Sequence, residues 1–179
     1  MEATESQTTL FVGRVRGVEE TDPEKIGKLK IPGFSEYLHP YGKNLLLGIG
    51  IDVDEETQMT GGVKISMFDI SYPNDVKEID KHVIEGAYSS DVFYDYKGVL
   101  IDREKDIIGF SAYGEGGELY QVFGYEEGEG FTSKMAGEVN GSSYDWVRGV
   151  YIDKTLYIVK GNIVDSYSLN DYQKIDDII

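Results

Sequence analysis

The chain has 179 residues, with 33 Asp and Glu against 17 Lys and Arg, for a formal charge of -16; a surface this acidic repels a phosphate backbone and an anionic bilayer, which excludes nucleic acid as a partner. Zero cysteines exclude disulfides, thiolate metal sites and cysteine nucleophiles, and no apolar run approaches the roughly 18 residues of a membrane-spanning helix. The length suits one domain, and 22 Gly with 14 Tyr point to a fold rich in strands and turns.

The first residues, Met1 to Glu5, are acidic and polar where an export signal is basic and then apolar, so the chain reads as soluble and without such a signal. Leu10 to Arg16 alternates as a strand, followed by an acidic turn at Glu19 to Pro23. A second strand, with Ile26, Leu29 and Ile31, ends at Pro32-Gly33, and a new strand begins whose far end is Gly42-Lys43-Asn44. Leu45 to Ile51 is apolar on both faces, as in a sheet covered on both sides. After a loop from Asp52 to Gly62 come Val63 to Ile70, a Pro-Asn-Asp turn, and Val76 to Ile84 ending at Glu85-Gly86.

This plan then recurs. Ile26, Lys28, Ile31 and Gly33 match Ile79, Lys81, Ile84 and Gly86 at one constant offset, at which Leu10 and Val12 also fall on Val63 and Ile65. The next cycle is expected to hold strands over Val92 to Asp102, Ile107 to Tyr113, Glu118 to Tyr125 and Phe131 to Val139. A tighter one holds Asp145 to Ile152, Thr155 to Lys160, Ile163 to Leu169 and Tyr172 to Ile178. Phe68, Phe123 and Tyr167 take the same place in the third strand of their cycles, and no segment keeps a helical period between caps.

Four-stranded units of about 45 to 55 residues are the mark of propeller blades, each of which needs its neighbours to cover its faces. The expected fold is therefore all-β: a partial β-propeller with two N-terminal strands of a preceding blade (8–33) and three four-stranded blades (34–85, 86–139, 140–179), against a sandwich or barrel as the alternative. Closed propellers usually have about 4–8 blades. The expectation is that the rest lie in a longer parent chain or a partner, and that uncovered blade faces drive self-association.

The run Leu29 to Tyr41, with Leu46 to Gly50 and Lys64 to Ser71, resembles the family of bacterial and archaeal secreted proteins with a C-terminal β-propeller distantly related to WD40 repeats. The likeness is close from about residue 23 to residue 104 and looser after it. It implies an extracellular or cell-surface location, in a parent chain with its own export signal, and it brings no catalytic residues.

Candidate sites are few. Tyr37, His39 and Tyr41 stand near the start of an inner strand, close to where propellers gather ligands, against the plainer reading that His39 bonds a neighbouring blade and the tyrosines pack between sheets. Asp52, Asp54 and Glu56 place alternate oxygens in the densest acidic loop and are the candidate Ca²⁺ ligands; no other cofactor is expected. The EF-hand pattern fails there, because Thr57 holds its Gly position and Val63 its closing Glu position. Two isolated histidines do not make a zinc site. The functional expectation is a non-catalytic extracellular scaffold binding protein or glycan. The alternative is a hydrolase or lyase acting on sugars through axial carboxylates such as Asp91 with Asp95 or Asp102 with Glu104, with tyrosines and Trp146 as a sugar platform.

Overall fold

Thirteen strands and two single-turn 3₁₀ segments make up a computed structural model that describes residues 29, 31–54, 56–57, 59–142 and 144–178. Apart from Leu29 and residues 31–33, the half blade expected over 8–33 lies outside the described residues. Among the described residues no helix is long and apolar enough to cross a membrane. The chain divides into two compact units, Met1–Val83 and Ile84–Ile179.

The first unit is built on a four-stranded sheet in chain order: β1 (Phe34–Pro40), β2 (Leu45–Val53), β3 (Thr60–Asp69) and β4 (Lys77–Glu85). Leu47, Ile49, Val63, Ile65, Met67 and Phe68 are fully buried, so β2 and β3 are covered on both faces, as the unbroken apolar run in β2 demands. Lys64 breaks that run on β3. Its buried ammonium donates to the Pro32 carbonyl at 2.8 Å and sits 3.7 Å from Glu78 and 3.9 Å from Asp52. Burial pushes its pKa down in spite of both carboxylates, because removing a charge from water outweighs their attraction.

The second unit holds two sheets. In one, β7 (Ile107–Gly114), β8 (Gly117–Glu126) and β9 (Gly130–Glu138) run antiparallel, and the edge next to β7 is shared by β5 (Ala87–Ser89) and β6 (Leu100–Asp102). In the other, β10 (Val147–Ile152), β11 (Thr155–Lys160), β12 (Ile163–Ser168) and β13 (Lys174–Ile178) follow in chain order. The two share one core: Ile107, Tyr120, Val122 and Met135 from the first pack with Val147, Leu156, Ile158 and Tyr167 from the second. Burying each such side chain contributes about 1.5–3 kcal/mol, which fixes neither sheet alone but holds each against the other.

Two details show how closely these sheets approach. Tyr120 on β8 is fully buried against Gly149 on β10, where a methyl group would overlap its hydroxyl. Glu118 on β8 and Lys160 on β11, 5% and 4% exposed, form an ion pair at 2.5 Å. The joint glycines of the repeat, Gly33 and Gly86, share a left-handed backbone, φ 78° and 75°, which explains why glycine stands at both places.

One expected strand is absent. Val92 to Asp102 was expected to be continuous, but only Leu100–Asp102 is strand; β5 supplies the other half of the edge, and residues 90–99 leave the sheet in two 3₁₀ turns. Local capping is the cause. The Ser90 hydroxyl accepts from the Val92 amide at 3.3 Å and donates to the Ser111 carbonyl at 2.6 Å, and Asp95 accepts from the Lys97 amide at 3.0 Å. Side chains that bond the backbone two residues on favour turns over a ladder. The remaining strands of the last two sheets begin or end within two residues of their expected places.

Candidate binding cleft

The excursion at residues 90–99 creates the most distinctive surface of the second unit. Asp91, 4% exposed, anchors it: one carboxylate oxygen accepts from the Tyr113 hydroxyl on β7 at 2.9 Å, the other from the Val147 amide that opens β10 at 2.6 Å. The Tyr94 and Asp95 amides close back on the Asp91 carbonyl at 3.1 and 3.0 Å. Burial first, then the neighbouring Asp91 carboxylate, pushes the Tyr113 phenol far up, so it stays protonated and donating at any ordinary pH. A second tie comes from β10, whose Arg148 donates to Asp95 at 2.6 Å and to the Val147 carbonyl at 2.9 Å.

Between the excursion and the segment entering β10 lies a cleft of about 300 Å³, at the small end of the range for small-molecule sites, roughly 300–1,000 Å³. Its walls are aromatic: Tyr88, Tyr94, Tyr113, Tyr144 and Trp146 line it together with Ser89, Asp91 and Asp145. The Tyr94 and Trp146 rings stand 6.4 Å apart at 56°, and the Arg148 guanidinium lies 5.8 Å from the Trp146 ring. Exposed rings leave apolar surface in water at a free-energy cost: Trp146 is 48% and Tyr144 92% exposed, and apolar surface gathered in a cleft marks a candidate binding site. None of the described residues lining it is basic.

The residues singled out from sequence lie elsewhere. Tyr37 and His39 share one face of β1, half-buried, with the Tyr37 hydroxyl 2.9 Å from His39 Nδ1 and the rings stacked at 6.0 Å. Burial lowers the His39 pKa and raises that of Tyr37. Tyr41 falls beyond the strand, 3% exposed, its amide closing the turn onto the Leu45 carbonyl at 2.8 Å. The strand thus brings the first two together and leaves Tyr41 in the core.

Of the candidate Ca²⁺ ligands, Asp52 accepts from Lys81 at 2.9 Å, with Lys64 at 3.9 Å. Asp54 folds its own loop: one oxygen accepts from the Glu56 amide and from the amide and hydroxyl of Thr57 at 3.1, 2.7 and 2.8 Å, which holds its pKa down. Glu56 is exposed in the same loop. Among the described residues no group of three or more His, Asp or Glu is placed to hold a metal ion. Of the suspected acid/base pairs, Asp91 is bonded to Tyr113 and Val147 and Asp95 to Arg148, while Asp102 accepts from the Tyr151 hydroxyl and the Lys105 amide and Glu104 is exposed.

Sequence reasoning took Trp146 and the abundant tyrosines as a sugar platform without placing them together at the excursion. The signal that marks the cleft is the capping pattern Ser90 and Asp95 around Tyr94 and Tyr96, since two caps within six residues argue against the strand that the alternation suggests.

Comparison with known proteins agrees with the architecture. A family model described as "Beta propeller domain" matches residues 18–172. An uncharacterised protein of Archaeoglobus fulgidus is 33% identical over 157 residues, 88% of this chain and 22% of that protein. An uncharacterised protein of Methanocaldococcus jannaschii is 45% identical over 92 residues, 51% of this chain and 14% of that protein. The chain therefore spans about a fifth or less of the length of these relatives.

Proposed function

The chain belongs to the beta propeller domain family, and from that premise we propose that it is a non-catalytic interaction module, part of an extracellular propeller, whose partner is a protein or a glycan held at the aromatic cleft. The observation that carries this reading is that the cleft gathers exposed rings while Asp91 and Asp95 are held in hydrogen bonds within the fold. Tyr94 and Trp146 face solvent, whereas both oxygens of Asp91 accept hydrogen bonds and Asp95 is paired with Arg148. A sugar hydrolase needs one carboxyl group free to give a proton and another free to attack or activate water. Asp91 and Asp95 tie the excursion to β7 and β10, a positioning role that suits recognition.

The resemblance of Leu29 to Tyr41 to secreted propeller proteins supports the proposed location outside the cell, and the remaining blades are proposed to lie in a longer parent chain or to be supplied by self-association. The small share of each relative that this chain covers supports the former.

The test is a panel of glycans and peptides offered to the intact chain and to Trp146→Ala, with product release followed alongside. Retained binding without turnover, lost in Trp146→Ala, is expected. Release of a sugar product that disappears in Asp95→Asn would replace this reading with the hydrolase.

A further inference from the structure

We propose that the cleft takes an alkylated ammonium cation, with a trimethylammonium group as its simplest form. The inference rests on reading the cleft as the binding surface and narrows what it binds.

Charge comes first. Asp91 is buried, yet its two hydrogen-bond donors, the Tyr113 hydroxyl and the Val147 amide, are neutral and leave its negative charge uncancelled. Asp145, half-buried on the opposite segment, adds a second carboxylate to the lining. Arg148, the base at the edge of the cleft, is committed to Asp95 by a 2.6 Å bond. An aromatic-walled space with two carboxylates and no basic lining residue attracts a cation and repels a uronate, sulfate or phosphate.

The walls then select the kind of cation. Aromatic faces attract positive charge through the ring quadrupole, most strongly when water is displaced. Trp146 and Tyr94, 6.4 Å apart and tilted at 56°, both line the space, with the Arg148 guanidinium 5.8 Å from the indole. A bare ammonium is strongly hydrated and gives up three hydrogen bonds to water when it lies against a ring face. Methyl groups remove that demand while keeping the charge.

Trp146 is the single tryptophan, so its emission reports the cleft directly. The intact chain is titrated with choline, with an N-acetyl trimethyllysine amide, with the uncharged tert-butyl isostere of choline and with a neutral maltohexaose. Saturable change with the two cations is expected, and affinity at least about tenfold lower for the isostere. Tighter binding of the lysine derivative assigns the cation to a partner protein's side chain, and tighter binding of choline to a free small molecule. Asp145→Asn should weaken choline binding about threefold or more, and Tyr94→Ala should abolish it. Tyr94 is 76% exposed, so an unchanged unfolding midpoint is expected and separates lost binding from lost structure. Equal binding of the isostere, binding of the hexaose alone, or unchanged choline affinity in Asp145→Asn overturns the cation while leaving a binding cleft. No response of Trp146 to any of the four compounds overturns both.

Discussion

Removing either half of the Glu118–Lys160 pair should cost far more than removing both. The pair joins β8 of one sheet to β11 of the next, with its atoms 2.5 Å apart and both side chains at most 5% exposed. At an effective dielectric of 20 the attraction at this distance is about 7 kcal/mol, opposed by a desolvation penalty of several kcal/mol for each ion. The net value of the pair is therefore small, but a lone survivor keeps its penalty and loses its partner. Lys160→Met and Glu118→Gln are each expected to destabilise the second unit by about 3–5 kcal/mol, whereas Lys160→Met with Glu118→Leu should fall near the parent or above it. Urea unfolding followed by Trp146 emission gives all four corners of the cycle, since that residue lies in the same unit. Single losses under about 1 kcal/mol, or a double variant as damaged as the singles, would show that the two sheets do not enclose the pair.

The Tyr120 hydroxyl is buried and has no hydrogen-bond partner among the described residues, so Tyr120→Phe should raise stability by about 1 kcal/mol, whereas Gly149→Ala should lower it by about 1–3 kcal/mol or more, through overlap with the ring above it; chemical denaturation measures both. Burial lowers the folded pKa of His39 below its ordinary 6.5, so between that lowered value and 6.5 the unfolded chain holds the extra proton. Stability contributed by neutral His39 is thus present above pH 6.5 and is lost as the pH falls through this window, an effect that His39→Gln should remove from the pH profile of unfolding. Because Asp52 is paired with Lys81 and Asp54 closes its own turn, adding Ca²⁺ or EDTA should leave the melting temperature unchanged. A rise with Ca²⁺ that is lost in Asp54→Asn would restore the loop as a metal site.

How much of this was legible in the sequence depends on whether a feature is local and periodic. The four-strand cycles were legible because apolar alternation and Gly turns recur at a fixed spacing, and Phe68, Phe123 and Tyr167 are all buried in third strands as that spacing requires. Val92, Tyr94 and Tyr96 alternate in the same way, yet their segment is capped by Ser90 and Asp95 into turns. The period of a strand was present there without its ladder. The cleft was hidden for a second reason: Asp91 meets Val147 across 56 residues of chain, and no local pattern records such a partner. Tyr37 and His39 were legible as neighbours, two residues apart on one strand face, but Tyr41 lies past the strand end, where that alternation no longer applies.

The central claim, that the joint between the excursion and β10 is where this chain meets its ligand, is tested most directly by mapping amide shifts of the isotope-labelled chain as trimethyllysine amide is added. The account predicts that the largest changes cluster on residues 88–96 and 144–148. Changes centred on Tyr37 and His39, or spread over the acidic surface without saturation, would contradict it.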